Sequence, residues 1–593
     1  MVVVGCDYLA WTRQTPGRGT RAEGVAQVPG LPRGRLPVAS AAWARVLPSV
    51  WNHGPTANSR GLAVRALAST DALVGPGSAP APRVAARRAY VSLAGEKSQG
   101  KCAFAWAEAR EAAHVASKQG YGGFRANRSL EYGAHRSRPR RRPMLRIGWA
   151  VRDITPSRPV MVSGQMHRRI ARGAMDPLLV TALAMEGGDP ADCGILISCD
   201  LVGVSDTLQR AVRERLARRV PAVPGEKVFL TATHTHTSMV LEDGSYEHPG
   251  GDVMTPTECT AWVADQAADA AAQAWEGRCP HTVASAFEHA VVGHNRRAVY
   301  ADGSAQMYGR TNREDFVWIE GYEDHSLDLL FTWDAGGRLT GVAIDIPCPS
   351  QVDEGLEVLS ADFWHDIRVE LRARLGEGLH VLPLCGAAGD ISPHFLLYGR
   401  EEEEMRRRRG LAERQEIAAR VAVAVERALA CTRPATGDTA FAHAVRRVEL
   451  SPRAITRKER DWAEAEYQRT RQEGRDDSWW LQGLRAVVEC FDGLRSAAPV
   501  PVEIHVLRIG DAVLATNPFE LFLDYGLRIK AQSPAAQTIV VQLAAGGGAY
   551  LPTERAVQGG GYGAAPAVAN VGPPGGKELV EATLQMIREI FQS

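Results

Sequence analysis

Chemistry is densest in the segment Val228-Phe229-Leu230-Thr231-Ala232-Thr233-His234-Thr235-His236-Thr237-Ser238. An apolar run that ends in His-Thr-His reads as a strand over 228–236, and strand side chains alternate between faces. His234 and His236 are then expected on one side, roughly 7 Å apart along the backbone. Two imidazoles at a strand end can supply one metal ligand and one acid/base group. They can equally be two polar side chains satisfied by hydrogen bonds.

Other candidates stand at comparable positions. Asp200 closes the apolar strand 193–200 (CGILISCD), and open α/β sheets place ligands beyond the carboxyl ends of their strands. Asp390 lies in Gly386-Ala387-Ala388-Gly389-Asp390-Ile391-Ser392-Pro393, where small residues let backbone approach a ligand; a turn carboxylate capping local amides is the competing reading. Glu520 follows Asn517-Pro518-Phe519, as an oxygen ligand or as a charge at a helix start. Tyr550 and Tyr562 flank the Gly-rich stretch 546–563, as packing residues or as donors to an oxyanion. A serine nucleophile is the weakest option, because neither Ser392 nor Ser238 sits in Gly-x-Ser-x-Gly.

The elements that must position these groups alternate. Strands are expected at 144–151, 178–186, 193–200, 228–236, 339–346 and 380–384, with a hairpin 504–509/512–516 across Gly510-Asp511. Helices are expected at 207–219, opened by Asp206, and at 257–274, 361–375 and 401–430. The last should carry Glu402–Arg406, Glu403–Arg407 and Glu404–Arg408 pairs at i,i+4. A helical insertion spans about 455–497. The order argues for an α/β class: a mixed, partly parallel sheet core with flanking helices. No internal repeat shows in the sequence.

Size and composition fit an enzyme more than a nucleic-acid binder. The chain has 593 residues, 45% hydrophobic and 23% charged, with a net charge of +1. That balance hides an asymmetry: residues 1–143 carry 22 Lys/Arg against 7 Asp/Glu, and the rest 47 against 61. The acidic body does not favour nucleic acid. Residues 1–143, rich in Gly, Pro, Ala and Arg, bury too little apolar surface to offset ordering entropy. They read as a disordered basic extension or as sequence upstream of a true start at Met144, with a short helix possible at 104–117; 144–593 reads as the catalytic domain. No stretch is long and apolar enough for a transmembrane segment. No Cys-x-x-Cys pair occurs among the ten cysteines, and together with the lack of a secretory signal this points to a cytoplasmic protein.

Taken in order, the segments of 144–593 resemble the catalytic domain of the neutral (alkaline, non-lysosomal) ceramidases. The resemblance is carried by Gly148, Asp153-Ile154-Thr155-Pro156, Gly164, Asp176, Asp200, Thr233-His234-Thr235-His236 and Asn295-Arg296-Arg297. It continues through Ser360-Ala361-Asp362, Gly389-Asp390-Ile391-Ser392-Pro393, Pro518-Phe519-Glu520 and Tyr550-Leu551-Pro552-Thr553. It implies one zinc ion held by His234, Glu520 and Tyr550. His236 would then move protons, with Arg296 and Tyr562 stabilising an oxyanion and Asp200, Asp390 or Asp362 supporting from behind. The family's second zinc histidine is missing from Asp345-Ile346-Pro347-Cys348-Pro349-Ser350-Gln351; Cys348 is the candidate replacement, with His365 and His394 as others. The family's additional C-terminal β-sandwich is not expected here, so ceramide itself is not the expected substrate.

The expected function is therefore zinc-dependent hydrolysis of an amide in a small or lipid-like N-acyl compound. The alternatives are an inactive ligand-binding relative and an esterase or cyclic amide hydrolase. Oligomeric state is not legible in the sequence.

Overall fold

A computed structural model describes residues 145–189, 191–434, 439–474, 478–496 and 498–592. The basic stretch 1–143 and the helix expected at 104–117 lie outside the described residues.

The chain runs three times through one plan. The first pass is β1 (Arg146–Asp153), β2 (Leu179–Glu186), β3 (Cys193–Cys199), helix α1 (Asp206–Arg219), β4 (Val228–Ala232) and helix α2 (Pro256–Glu276). The second is β5 (Cys279–His289), β6 (Ser326–Asp334), β7 (Leu339–Ile346), α3 (Phe363–Leu375), β8 (His380–Cys385), α4 (Gly399–Arg409) and α5 (Glu413–Cys431). The third is β9 (Phe441–Leu450), an inserted helical pair α6 (Arg457–Gln472) and α7 (Ser478–Phe491), then β10 (Val500–Ile509), β11 (Ala512–Thr516), α8 (Leu523–Gln532), β12 (Gln537–Val541) and α9 (Pro573–Gln592). In each pass the first three strands pair antiparallel and the fourth pairs parallel with the third across a helix.

The first two passes join through β1 and β5 into one eight-stranded sheet, ordered β8-β7-β6-β5-β1-β2-β3-β4; the third forms a four-stranded sheet β9-β10-β11-β12. Strand alternation sorts the apolar residues into layers. Ala182, Ala184, Ile195 and Ile197 face α1 and α2, and Leu327, Leu329 and Phe331 face α3 and α5. Leu183, Leu196, Leu330 and Leu382 face the other way, onto Leu507, Leu514 and Ile539 of the small sheet. The outer face of that sheet, with Val506, Val513 and Val540, packs under α8 and α9. The result is a helix–sheet–sheet–helix sandwich of mixed strand direction.

Local chemistry sets the helix ends. Ser205, one residue before the expected opener Asp206, caps α1 by accepting from the Leu208 amide. A Thr255/Glu258 capping box with Pro256 in the first turn starts α2. Asp362 caps α3. The single helix expected over 401–430 is two, because Gly410 turns left-handed (φ 68°) between α4 and α5. That break redirects the expected ion pairs. Glu404–Arg408 forms, while Arg406 reaches Glu413 and Glu402 reaches Arg420. The strand expected over 228–236 stops at Ala232, because His234 takes a left-handed φ of 62°.

Among the described residues no helix is long and apolar enough to cross a membrane.

Candidate functional site

The three parallel strand pairs end close together, and the segments beyond their carboxyl ends build one polar site. β4 delivers His234 and His236, the loop after β7 delivers Gln351 and Glu354, and the turn after β8 delivers Gly389 and Asp390. The turn after β11 delivers Glu520, and the Gly-rich loop after β12 delivers Tyr550. Glu520 and Tyr550 are direct partners in a two-residue parallel ladder, which fixes their side chains on one face.

His234 is turned by its own backbone. After Ala232 the amides of Thr233 and Thr235 bond the carbonyls of Cys199 and Leu201, so the chain wraps over the end of β3 instead of extending. A left-handed non-glycine residue is costly and is kept where the surroundings over-determine it. The turn brings the His234 and His236 rings edge to face, 4.9 Å between centroids. The two imidazoles meet, but by a turn and not by strand alternation. His234 Nδ1 lies 2.5 Å from the Val202 carbonyl, which places a proton on Nδ1. Nε2 is 3.2 Å from Glu520 Oε2, yet it is buried without an aligned hydrogen-bond partner. Burial raises the Glu520 carboxyl, but His234, Arg296 and the Tyr550 hydroxyl outweigh it, and the group is held below the usual carboxylate range.

Arg296 is buried and bonds only neutral oxygens: Nη2 to the Gly389 carbonyl at 2.9 Å and Tyr550 Oη at 3.1 Å, Nη1 to Gln351 Oε1 at 3.4 Å and Tyr308 Oη at 3.5 Å. Gln351 Nε2 sits 2.6 Å from His236 Nε2. Burial, helped by His234 and Arg296, pushes the His236 imidazole well below its ordinary value, so it is neutral. Its Nδ1 lies 3.5 Å from Glu354 Oε2, and Glu354 Oε1 lies 3.3 Å from His394 Nε2. Burial opposes charge on His394, but the Glu354 contact wins and raises it. Tyr562 meets Tyr550 edge-on and lies tilted against Trp480 of α7. Burial raises its phenol above the ordinary range, so it is a donor.

Other expected residues are placed elsewhere. Asp200 forms a buried bidentate pair with Arg368 at 2.7 and 3.0 Å and accepts from the Leu179 amide. Asp390 accepts from Asn295 Nδ2 and the Leu523 amide. Asp362 accepts from the amides of Asp353 and Phe363 at the start of α3. All three hold backbone and loops in place. Gln351, Glu354 and Tyr308 were not singled out from the sequence. The segment lacking the second histidine was the right place to look, but spacing gave no sign that its last residue, Gln351, would face the site.

The zinc expectation is corrected by the donor set. Among the described residues no group of three or more His, Cys, Asp or Glu side chains is placed to hold a metal ion. His234 and Glu520 converge without a third such partner. The Tyr550 hydroxyl already accepts from Arg296 at 3.1 Å. Cys348 turns its sulfur to the Pro349 carbonyl at 3.4 Å, and burial keeps it a thiol, poorly suited to metal. The residues present do not fit the ion. With it go the zinc cofactor, the metal-ligand roles of His234, Glu520, Tyr550 and Cys348, the zinc-dependent amidohydrolase class and the metal-dependent mechanism.

The layered fold is similar to that of solved neutral ceramidases. The chain matches a crystal structure of neutral ceramidase from Pseudomonas aeruginosa with a TM-score of 0.57 at 17% identity, over 76% of this chain and 75% of that one. It matches a structure of a ceramidase complexed with C2 with a TM-score of 0.55 at 15% identity, over the same shares. At such identity the likeness establishes the fold. No protein-family model matches the chain, and no curated protein matches it in sequence.

Proposed function

We propose that this protein binds an N-acyl compound through its amide group, as a ligand-binding member of a hydrolase fold. The observation that carries the reading is Glu520 Oε2, a carboxylate held below its usual range and 3.2 Å from His234 Nε2 with no aligned hydrogen bond between them. A half-buried carboxylate kept charged in this way accepts readily from a ligand donor. An amide N–H is such a donor. On the other flank stand donors: the Arg296 guanidinium, whose Nη1 contacts are long, and the phenol of Tyr562, for which no hydrogen bond occurs among the described residues. These suit the amide carbonyl. The neutral His236, engaged by Gln351, supports binding more than proton transfer.

Isothermal titration with a short N-acyl amine and with the ester of the same chain tests the reading. The ester lacks the N–H, so the amide should bind at least about tenfold tighter, the worth of one hydrogen bond to a charged acceptor. Glu520→Gln should abolish that preference, because it removes the charged acceptor that meets the amide N–H. Equal affinity for amide and ester in the parent protein would sink the proposal.

A further inference from the structure

We propose that Gln351 is a positioning residue that fixes His236 in one tautomer, with its proton on Nδ1 and its Nε2 lone pair capped. The argument runs along one chain of hydrogen bonds. Arg296 has donors only, and its Nη2 is held by the Gly389 carbonyl and Tyr550. Its Nη1 therefore presents an N–H to Gln351, and the atom of Gln351 facing it, 3.4 Å away, is Oε1. The reverse orientation would set amide N–H against guanidinium N–H. Once Oε1 faces Arg296, Nε2 of Gln351 faces His236 Nε2 at 2.6 Å. The amide N–H donates, so His236 Nε2 must be the bare nitrogen. The ring proton then lies on Nδ1, toward Glu354 Oε2 at 3.5 Å.

A Cβ built on Gly164 (φ 96°) would fall 2.5 Å from His236 Cγ and 2.6 Å from its Cβ, so the backbone of that turn packs against the base of the side chain. The carbonyl of His236 accepts from the buried Arg169. The residue is thus held at the base of its side chain by Gly164, at its carbonyl by Arg169, and at its Nε2 by Gln351. Its one lone pair is occupied before any ligand arrives. The orientation of Gln351 follows from Arg296 alone; the amide-binding reading enters only in the consequence, that a bound acyl group meets no free base at His236.

Nitrogen NMR on ligand-free protein labelled with ¹⁵N-histidine reads the tautomer directly, with the His236 signals assigned by their loss in His236→Asn. In the parent protein His236 should show a protonated Nδ1 and an unprotonated Nε2. Gln351→Glu keeps the shape and exchanges the donor for an acceptor, so Nε2 should move to the protonated range. Gln351→Met keeps the bulk and removes both, so the two tautomers should mix; it decides the matter if the glutamate variant does not fold. A parent His236 protonated on Nε2, or an unchanged Nδ1–H pattern in both variants, would overturn the proposal. The measurement needs no ligand, so failed amide binding would leave it standing, and a failed tautomer shift would leave the titration result standing.

Discussion

Glu503 on β10 shows how single ionisable side chains tie the layers together. It receives Arg213 of α1 at 2.5 Å and His505 Nε2 at 3.0 Å, and His505 in turn meets His443 of β9, whose Nδ1 lies 2.9 Å from the Cys193 carbonyl on β3. Burial raises the Glu503 carboxyl, but the contacts with His505 and Arg213 win and bring it down to about 2. A carboxyl with a lowered folded-state pKa stabilises the fold above its ordinary value of 4.5, and that contribution fades as pH falls through about 2. Glu503→Gln should therefore lower the urea midpoint at pH 7, with the gap to the parent closing between pH 4.5 and pH 2. A gap of constant size across that window would show that the charge of Glu503 does not hold the layers.

At the scale of elements, the site depends on how closely turns approach one another. Gly389, after β8, donates its amide to the Leu521 carbonyl, and a Cβ placed on it would fall 2.4 Å from the backbone oxygen of Glu520. Neither backbone can yield cheaply, so Gly389→Ala should cost about 3 kcal/mol of stability. It should also weaken amide binding at least tenfold by displacing Glu520 from His234, as chemical denaturation and titration would show. The sequence announced the glycine-rich turn and the strand that feeds it, because apolar runs and small residues are local signals. It announced His234, Glu520, Tyr550 and Arg296 through an ordered set of short motifs. It could not announce that His234 leaves the strand, since the cause lies in carbonyls of residues 199 and 201, at and just beyond the end of the neighbouring strand. Nor could it show that Cys348 faces away while Gln351 faces in. Those outcomes depend on the path of a proline-bounded loop and not on residue type.

Over the whole molecule, the threefold plan escaped the sequence because a strand or helix position asks only for apolar character at the right period. The passes can share topology with no shared residues. Their joints are polar and specific. Asp200 of the first pass and Arg368 on α3 of the second form a fully buried ion pair. Arg414 on α5 gathers Asp176, Asp353 and Asp366 from both. Removing one member of such a pair strands the other charge in a dry environment. Arg368→Ala should thus destabilise the protein by about 3–5 kcal/mol, while mutation of an exposed pair such as Arg457–Asp461 should cost less than about 1 kcal/mol. Unfolding of both variants, followed by calorimetry, distinguishes these expectations.

The helical pair inserted between β9 and β10 brings Trp480 against Tyr562, a neighbour of Tyr550, while His234 and Glu520 hang from other turns. On the proposed reading, Glu520, which would meet the amide N–H, and the helical pair that packs on Tyr562, which would meet its carbonyl, belong to separate stretches of chain. Exchange of that one hairpin would then change the wall behind Tyr562 while leaving His234 and Glu520 on their own turns.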